Sequence, residues 1–185
     1  MMRFLSVWLL IFLVATGYGC SGLAARVSAG SGDRRTSGTQ VEDDSIESKS
    51  MSRIQDKFKE SAQITVTSYN RFVLITGDAA SDDAKTNIER IVYSVPNVKK
   101  IANEVSVGAL ANTSIRRIDL SISREIKSEL SNNKSLQSGA IKVATDRGVV
   151  YLLGLVTHAE ANVASEIAST TNDVKKVVRV FEYID

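Results

Sequence analysis

The feature that most constrains this chain is that part of it occurs twice. The stretch Ile64–Gly77 aligns without gaps on Ile141–Gly154, 77 residues later. Ile64, Val66, Val73, Gly77 and Ala84 recur as Ile141, Val143, Val150, Gly154 and Ala161. After a one-residue deletion, Val98-Lys99-Lys100 recurs as Val174-Lys175-Lys176. Self-similarity at a fixed spacing means one supersecondary unit used twice, not a single large domain.

Both copies carry the same order of signals. A helix comes first. In the second copy Ile115, Ile118, Ile122, Ile126 and Leu130 recur at spacings of three and four, one apolar stripe. The first copy is rougher, with Ile46, Met51, Ile54 and Phe58. Two β-branched strands follow, joined by Asn70-Arg71 in one copy and by Asp146-Arg147-Gly148 in the other. Gly77 and Gly154 are expected to end the second strand, where the chain must turn. Ser81 can cap the next helix, and Thr157 with Glu160 forms a capping box for its counterpart. Pro96 and Asn172 fall where those helices should stop. A last strand closes each copy, over Ile101–Val107 and Lys176–Ile184. Strand–helix–strand implies a parallel pairing. The expected fold class is α+β: two tandem α-β-β-α-β units, each a small three-stranded mixed sheet packed by two helices.

The N-terminus reads as an export address. Arg3 supplies a positive start, and Phe4–Ala15 is apolar apart from Ser6. That is too short for a spanning helix, which needs about 20 apolar residues. The single cysteine, Cys20, follows directly. Its position resembles the lipobox of bacterial lipoproteins, although Gly17 stands where those signals usually carry Leu. That resemblance implies acylation of Cys20, and Ser21 after it implies sorting to the outer membrane. An ordinary cut near Gly19 or Ala25 is the alternative. Residues 21–43 are rich in Ser, Gly, Thr and charge, and read as a flexible tether. The expected organisation is therefore a signal peptide over 1–19, lipidated Cys20 and tether over 20–43, a first unit over 44–109 and a second over 114–185.

Composition narrows the chemistry. With 23 Lys and Arg against 21 Asp and Glu, the net charge of +2 gives no reason to expect a nucleic-acid binder. One Cys excludes an intrachain disulfide and a Cys-based zinc site, and one His makes a His-dependent triad improbable. No phosphate-binding Gly-rich loop, GxSxG or HExxH is present. No catalytic residue, metal site, cofactor or small-molecule substrate is expected. His158 reads as an exposed first-turn residue. Asp43-Asp44 and Asp82-Asp83 read as helix-start carboxylates favoured by the dipole. The pairs Lys99-Lys100 and Lys175-Lys176 read as exposed strand starts.

The pattern resembles the BON domain of bacterial envelope proteins. The residues that carry it are Ile64-x-Val66, Val73-x-Ile75-x-Gly77 and Val98-x-x-Ile101-x-Asn103-x-Val105. In the second copy they are Ile141-x-Val143, Val150-x-Leu152-x-Gly154 and Val174-x-x-Val177, with Arg179 where the family often has Asn. Residues 34–185 as a whole look like the dual-BON outer-membrane lipoproteins of Gram-negative bacteria. Arg35–Asp43 is similar to that group's entry into its first domain, and Gly154–Thr157 to a turn in its second. The resemblance implies a lipid-anchored, periplasm-facing protein that supports outer-membrane integrity and works alongside other envelope proteins. It also implies that the second domain binds anionic phospholipid through its first helix. A soluble periplasmic BON protein of the osmotic-stress type, binding a protein partner, is the alternative.

The residues of that helix fit a membrane surface. Relative to Arg116 at about 0°, Lys127 falls at about 20°, Arg124 at about 80° and Arg117 at about 100° around the helix. Glu125 and Glu129 lie across from them, at about 180° and 220°. Arg116, Arg117, Arg124 and Lys127 are the candidate phospholipid-binding residues. Relatives carry an aromatic near the start of this helix, and Ser121 holds that place here.

Overall fold

A computed structural model describes residues 32–185. The expected signal peptide over 1–19 and the expected lipidation at Cys20 lie outside the described residues. The first unit runs α1 (Ser37–Phe58), β1 (Ala62–Tyr69), β2 (Phe72–Ala79), α2 (Asp82–Tyr93), β3 (Lys100–Asn103) and β4 (Ser106–Val107). The second runs α3 (Thr113–Asn132), a short 3-10 turn (Ser138–Ala140), β5 (Ile141–Asp146), β6 (Val149–Val156), α4 (His158–Thr170) and β7 (Lys176–Tyr183).

In each unit an antiparallel hairpin is followed by a helix that returns the chain parallel to the hairpin's second strand. β1 pairs antiparallel with β2, and β2 pairs parallel with β3 and β4. β5 pairs antiparallel with β6, and β6 pairs parallel with β7. Both hairpins turn on two residues with positive φ, Asn70 and Arg71 in one and Arg147 and Gly148 in the other. That is the type I′ geometry, whose twist matches the strands it joins. Ser81 and Thr157 cap α2 and α4, the latter in a capping box with Glu160. The last strand of the first unit is broken: the Asn103 side chain accepts from Val105 N–H, and β4 resumes at Ser106, giving this sheet a fourth strand.

Each sheet buries both faces. Val73, Ile75, Ile88 and Val92 pack under the helices of the first unit, and Ile126, Leu130, Val150 and Leu152 do so in the second. The opposite faces meet each other through Tyr69, Leu74, Tyr151, Leu153 and Val180. The layers are therefore helix, sheet, sheet, helix. This explains why Phe72–Ile75 and Val149–Leu153 are unbroken apolar runs: a strand covered on both sides has no solvent face to alternate with. Polar links at the rim tie the units together. Asn70 in the first hairpin turn donates to Glu182 at the end of β7. Arg147 in the second turn donates to Asp78 at the end of β2.

Three expectations are corrected. The tether does not reach residue 43. α1 begins at Ser37 behind the N-cap Thr36, and the residues before it are anchored. Arg35 lies between Asp33 and Asp43 and over the Tyr69 ring, 4.1 Å from its centroid. Arg34 crosses to the second unit, donating to Leu155 C=O at 2.6 Å and pairing with Glu160 at 2.7 Å. Charge pairing orders this stretch, so apolar periodicity carries no sign of it. Asp43, for its part, is not a helix-start carboxylate but a fully buried one within α1.

Gly77 and Gly154, finally, do not end their strands. They lie inside β2 and β6. A Cβ at Gly77 would sit 1.9 Å from Gln63 C=O, and one at Gly154 would sit 2.3 Å from Ala140 C=O. Close backbone approach, not turning, demands glycine there.

Candidate membrane-docking surface

The surface is built on α3. Asn112 caps it, its side chain accepting from Ile115 N–H. Rotation of the helix is set by what it buries: Asp119, Ile122, Ile126 and Leu130. The sequence expectation put Ile118 in that stripe, but Ile118 is 49% exposed and Asp119 is buried in its stead. The Asp119 carboxylate accepts from the N–H groups of Arg147 and Gly148, at 2.9 and 2.8 Å. Holding the hairpin turn is a polar function, so a hydrophobic count does not register it.

With the helix so oriented, Arg116, Arg117, Arg124 and Lys127 are all exposed. Among the described residues none of the four enters an ion pair. Leu120 is 56% exposed and falls at about 40° on the wheel, between Lys127 and Arg124. Ser121 holds the place where relatives carry an aromatic, and its neighbour Leu120 is the exposed apolar residue. The wheel already contained the signal: a leucine amid the cations, opposite the glutamates. An exposed leucine ringed by basic groups can enter a headgroup layer while the cations meet phosphate.

Arg116, Leu120 and Lys127 also line a cleft of about 570 Å³ between the two units, whereas Arg117 and Arg124 lie outside it. Asp78, Asp119 and Asp146 stand in the same cleft. Asp78 receives Arg147 and the N–H of Ala111, and Asp146 receives the N–H of Gly77. Burial pushes the Asp146 carboxyl above the usual range, and the charges of Asp78 and Asp119 push the same way. Elsewhere, His158 opens α4, stacks on Tyr183 with ring centroids 4.0 Å apart and meets Asp185 at 2.8 Å. Asp82 and Asp83 occupy the first turn of α2, and Lys99, Lys100, Lys175 and Lys176 are exposed. Among the described residues no helix is long and apolar enough to cross a membrane.

Comparison with known proteins matches residues 42–109 and 118–185 to the BON domain. The chain is 32% identical over 174 residues to the outer membrane lipoprotein DolP of Haemophilus influenzae, covering 93% of this chain and 89% of that one. It is also 32% identical over 154 residues to the 21 kDa hemolysin of Actinobacillus pleuropneumoniae, covering 82% and 79%. Neither relative is named as an enzyme. Among solved structures, the C-terminal domain of CdsD, a type III secretion protein of Chlamydia trachomatis, aligns at 16% identity over 70% of this chain and 62% of that one. Its TM-score is 0.28.

Proposed function

The chain belongs to the BON-domain family and is an outer-membrane lipoprotein, and from that premise we propose that it docks α3 on anionic phospholipid and supports outer-membrane integrity from the periplasmic side. The observation that carries the reading is the cationic face of α3 around exposed Leu120, a face that enters no ion pair among the described residues. Four basic groups at about 1 kcal/mol each sum to about 4 kcal/mol, a dissociation constant near 1 mM. Such a contact is negligible for a free protein. It is sufficient for a tethered one, because a short flexible linker supplies an effective concentration of the order of mM. Acyl chains on Cys20, each CH₂ adding about 0.8 kcal/mol, would provide that tether. Anchor and face thus act together, and the role is non-catalytic.

Vesicle flotation tests this. The mature chain is expected to float with phosphatidylglycerol vesicles, to stay behind with phosphatidylcholine, and to lose binding when Arg124→Glu and Lys127→Glu are combined. Unchanged flotation of the double variant would refute the assignment of α3. The intact mass of protein from its native membrane tests the anchor: residues 20–185 plus acyl chains is the expected species.

A further inference from the structure

The cleft between the units presents strand edges. It is lined by consecutive residues of β1, Ala62–Thr65, and of β5, Val143–Asp146. Side chains alternate across a strand, so a run of consecutive lining residues means that the edge itself faces the space. β1 and β5 are indeed the terminal strands of their sheets. Near one end of β1 the edge is closed: Ser68 N–H donates to Glu47, and Ser68 C=O accepts from Lys142. Ile64 and Val66 share the orientation of Ser68 by the two-residue repeat of the ladder, and no such cover reaches them among the described residues.

Two further observations describe the occupant. Gln63 lines this cleft, and its buried side-chain oxygen has no hydrogen-bond donor among the described residues. Lys59, Arg116 and Lys127 stand around it, exposed and outside every ion pair among the described residues. The cleft's carboxylates are already engaged by Arg147 and by backbone N–H groups. An acyl chain would offer neither a donor to Gln63 nor partners for a strand edge. A main-chain segment offers both, and acidic side chains on it would answer the three cations. We propose that the cleft is a peptide site: it takes an extended, acidic segment of a partner protein, added as a strand along β1. The site shares Arg116, Leu120 and Lys127 with the proposed lipid contact, whereas Arg117 and Arg124 lie outside it and separate the two in a test.

The test is fluorescence anisotropy of a labelled peptide of alternating valine and glutamate, titrated with the full mature chain in detergent. Saturable binding is expected. Thr65→Glu, at an exposed position of the edge, should weaken it by about tenfold through like-charge repulsion and leave vesicle flotation unchanged. Arg117→Glu with Arg124→Glu should do the reverse, impairing flotation and sparing the peptide. A peptide N-methylated at alternate amides should fail to bind. Absence of binding, equal binding by the N-methylated peptide, or equal binding by a valine–lysine peptide would overturn the proposal. Displacement of the peptide by dihexanoylphosphatidylglycerol would overturn it in favour of a single-lipid pocket.

Discussion

Asp43 and Asp119 occupy the same place in the two units. Each is buried in the first helix of its unit, and each carboxylate accepts both N–H groups of a hairpin turn: Asn70 and Arg71 for Asp43, Arg147 and Gly148 for Asp119. A type I′ turn points these two donors away from the ladder, where water would otherwise take them. A helix carboxylate that receives them fixes helix to hairpin with a polar bolt inside an apolar layer.

Removing that bolt leaves two N–H groups unpaired. Asp119→Ala should therefore cost about 2–3 kcal/mol, the range for losing charge-assisted bonds to buried donors. Asp43→Ala should cost more, because Asp43 also holds Ser68 Oγ and Arg35. Urea denaturation at neutral pH checks both; a loss below about 0.5 kcal/mol for Asp119→Ala, the level of a bland surface change, would show the bolt to be ornamental.

The same comparison exposes a flaw in the first unit. Four residues after Ile46, α1 carries Ser50, and four residues after Ile122, α3 carries Ile126. Ser50 is fully buried, and its hydroxyl has no hydrogen-bond partner among the described residues. Ser50→Ala removes an unsatisfied hydroxyl at almost no change in volume, and should stabilise the chain by about 1 kcal/mol. Calorimetry should register a rise in the melting midpoint of about 2–4 °C.

These pairs also show how far the sequence could be read. Ser81, Thr157-x-x-Glu160 and the Asn70-Arg71 turn announce themselves because local backbone chemistry decides them. Asp43 and Asp119 do not: a carboxylate in a stripe of period 3.6 looks like a break in the stripe, and only the turn it faces explains it. Arg34 and Arg35 look like tether residues because charge pairing with Glu160 and Asp43, 126 and 8 residues away, leaves no apolar periodicity in the sequence. Gly77 and Gly154 look like strand ends in the sequence, because the carbonyls that crowd them, from Gln63 in β1 and Ala140 in the 3-10 turn, are invisible in one dimension. On α3 the cations could be grouped by angle alone, whereas the exposure of Leu120 needed the burial of Asp119 to fix the helix's rotation.

The Arg34–Glu160 pair joins the residues before α1 to the second unit, and it is sensitive to acid. The hydrogen bonds from Arg34, reinforced by those from Thr157, hold the Glu160 carboxyl at about 2, against an ordinary value of 4.5. A depressed pKa contributes stability that is complete above about pH 4.5 and disappears as the pH falls towards 2. Unfolding free energy should decline across that window, and more shallowly in Glu160→Gln. Identical slopes for the two proteins would remove Glu160 from the acid response.

The most direct measurement is the depth of α3 at a membrane. Trp8 is the sole tryptophan, so Leu120→Trp in a chain that begins at Cys20 gives a single reporter at the exposed leucine of the cationic face. With phosphatidylglycerol vesicles its emission should shift to the blue and be quenched by brominated acyl chains, while phosphatidylcholine vesicles leave it unchanged. Emission that stays at its aqueous wavelength with phosphatidylglycerol, while the protein itself floats with the vesicles, would place the membrane contact somewhere other than α3.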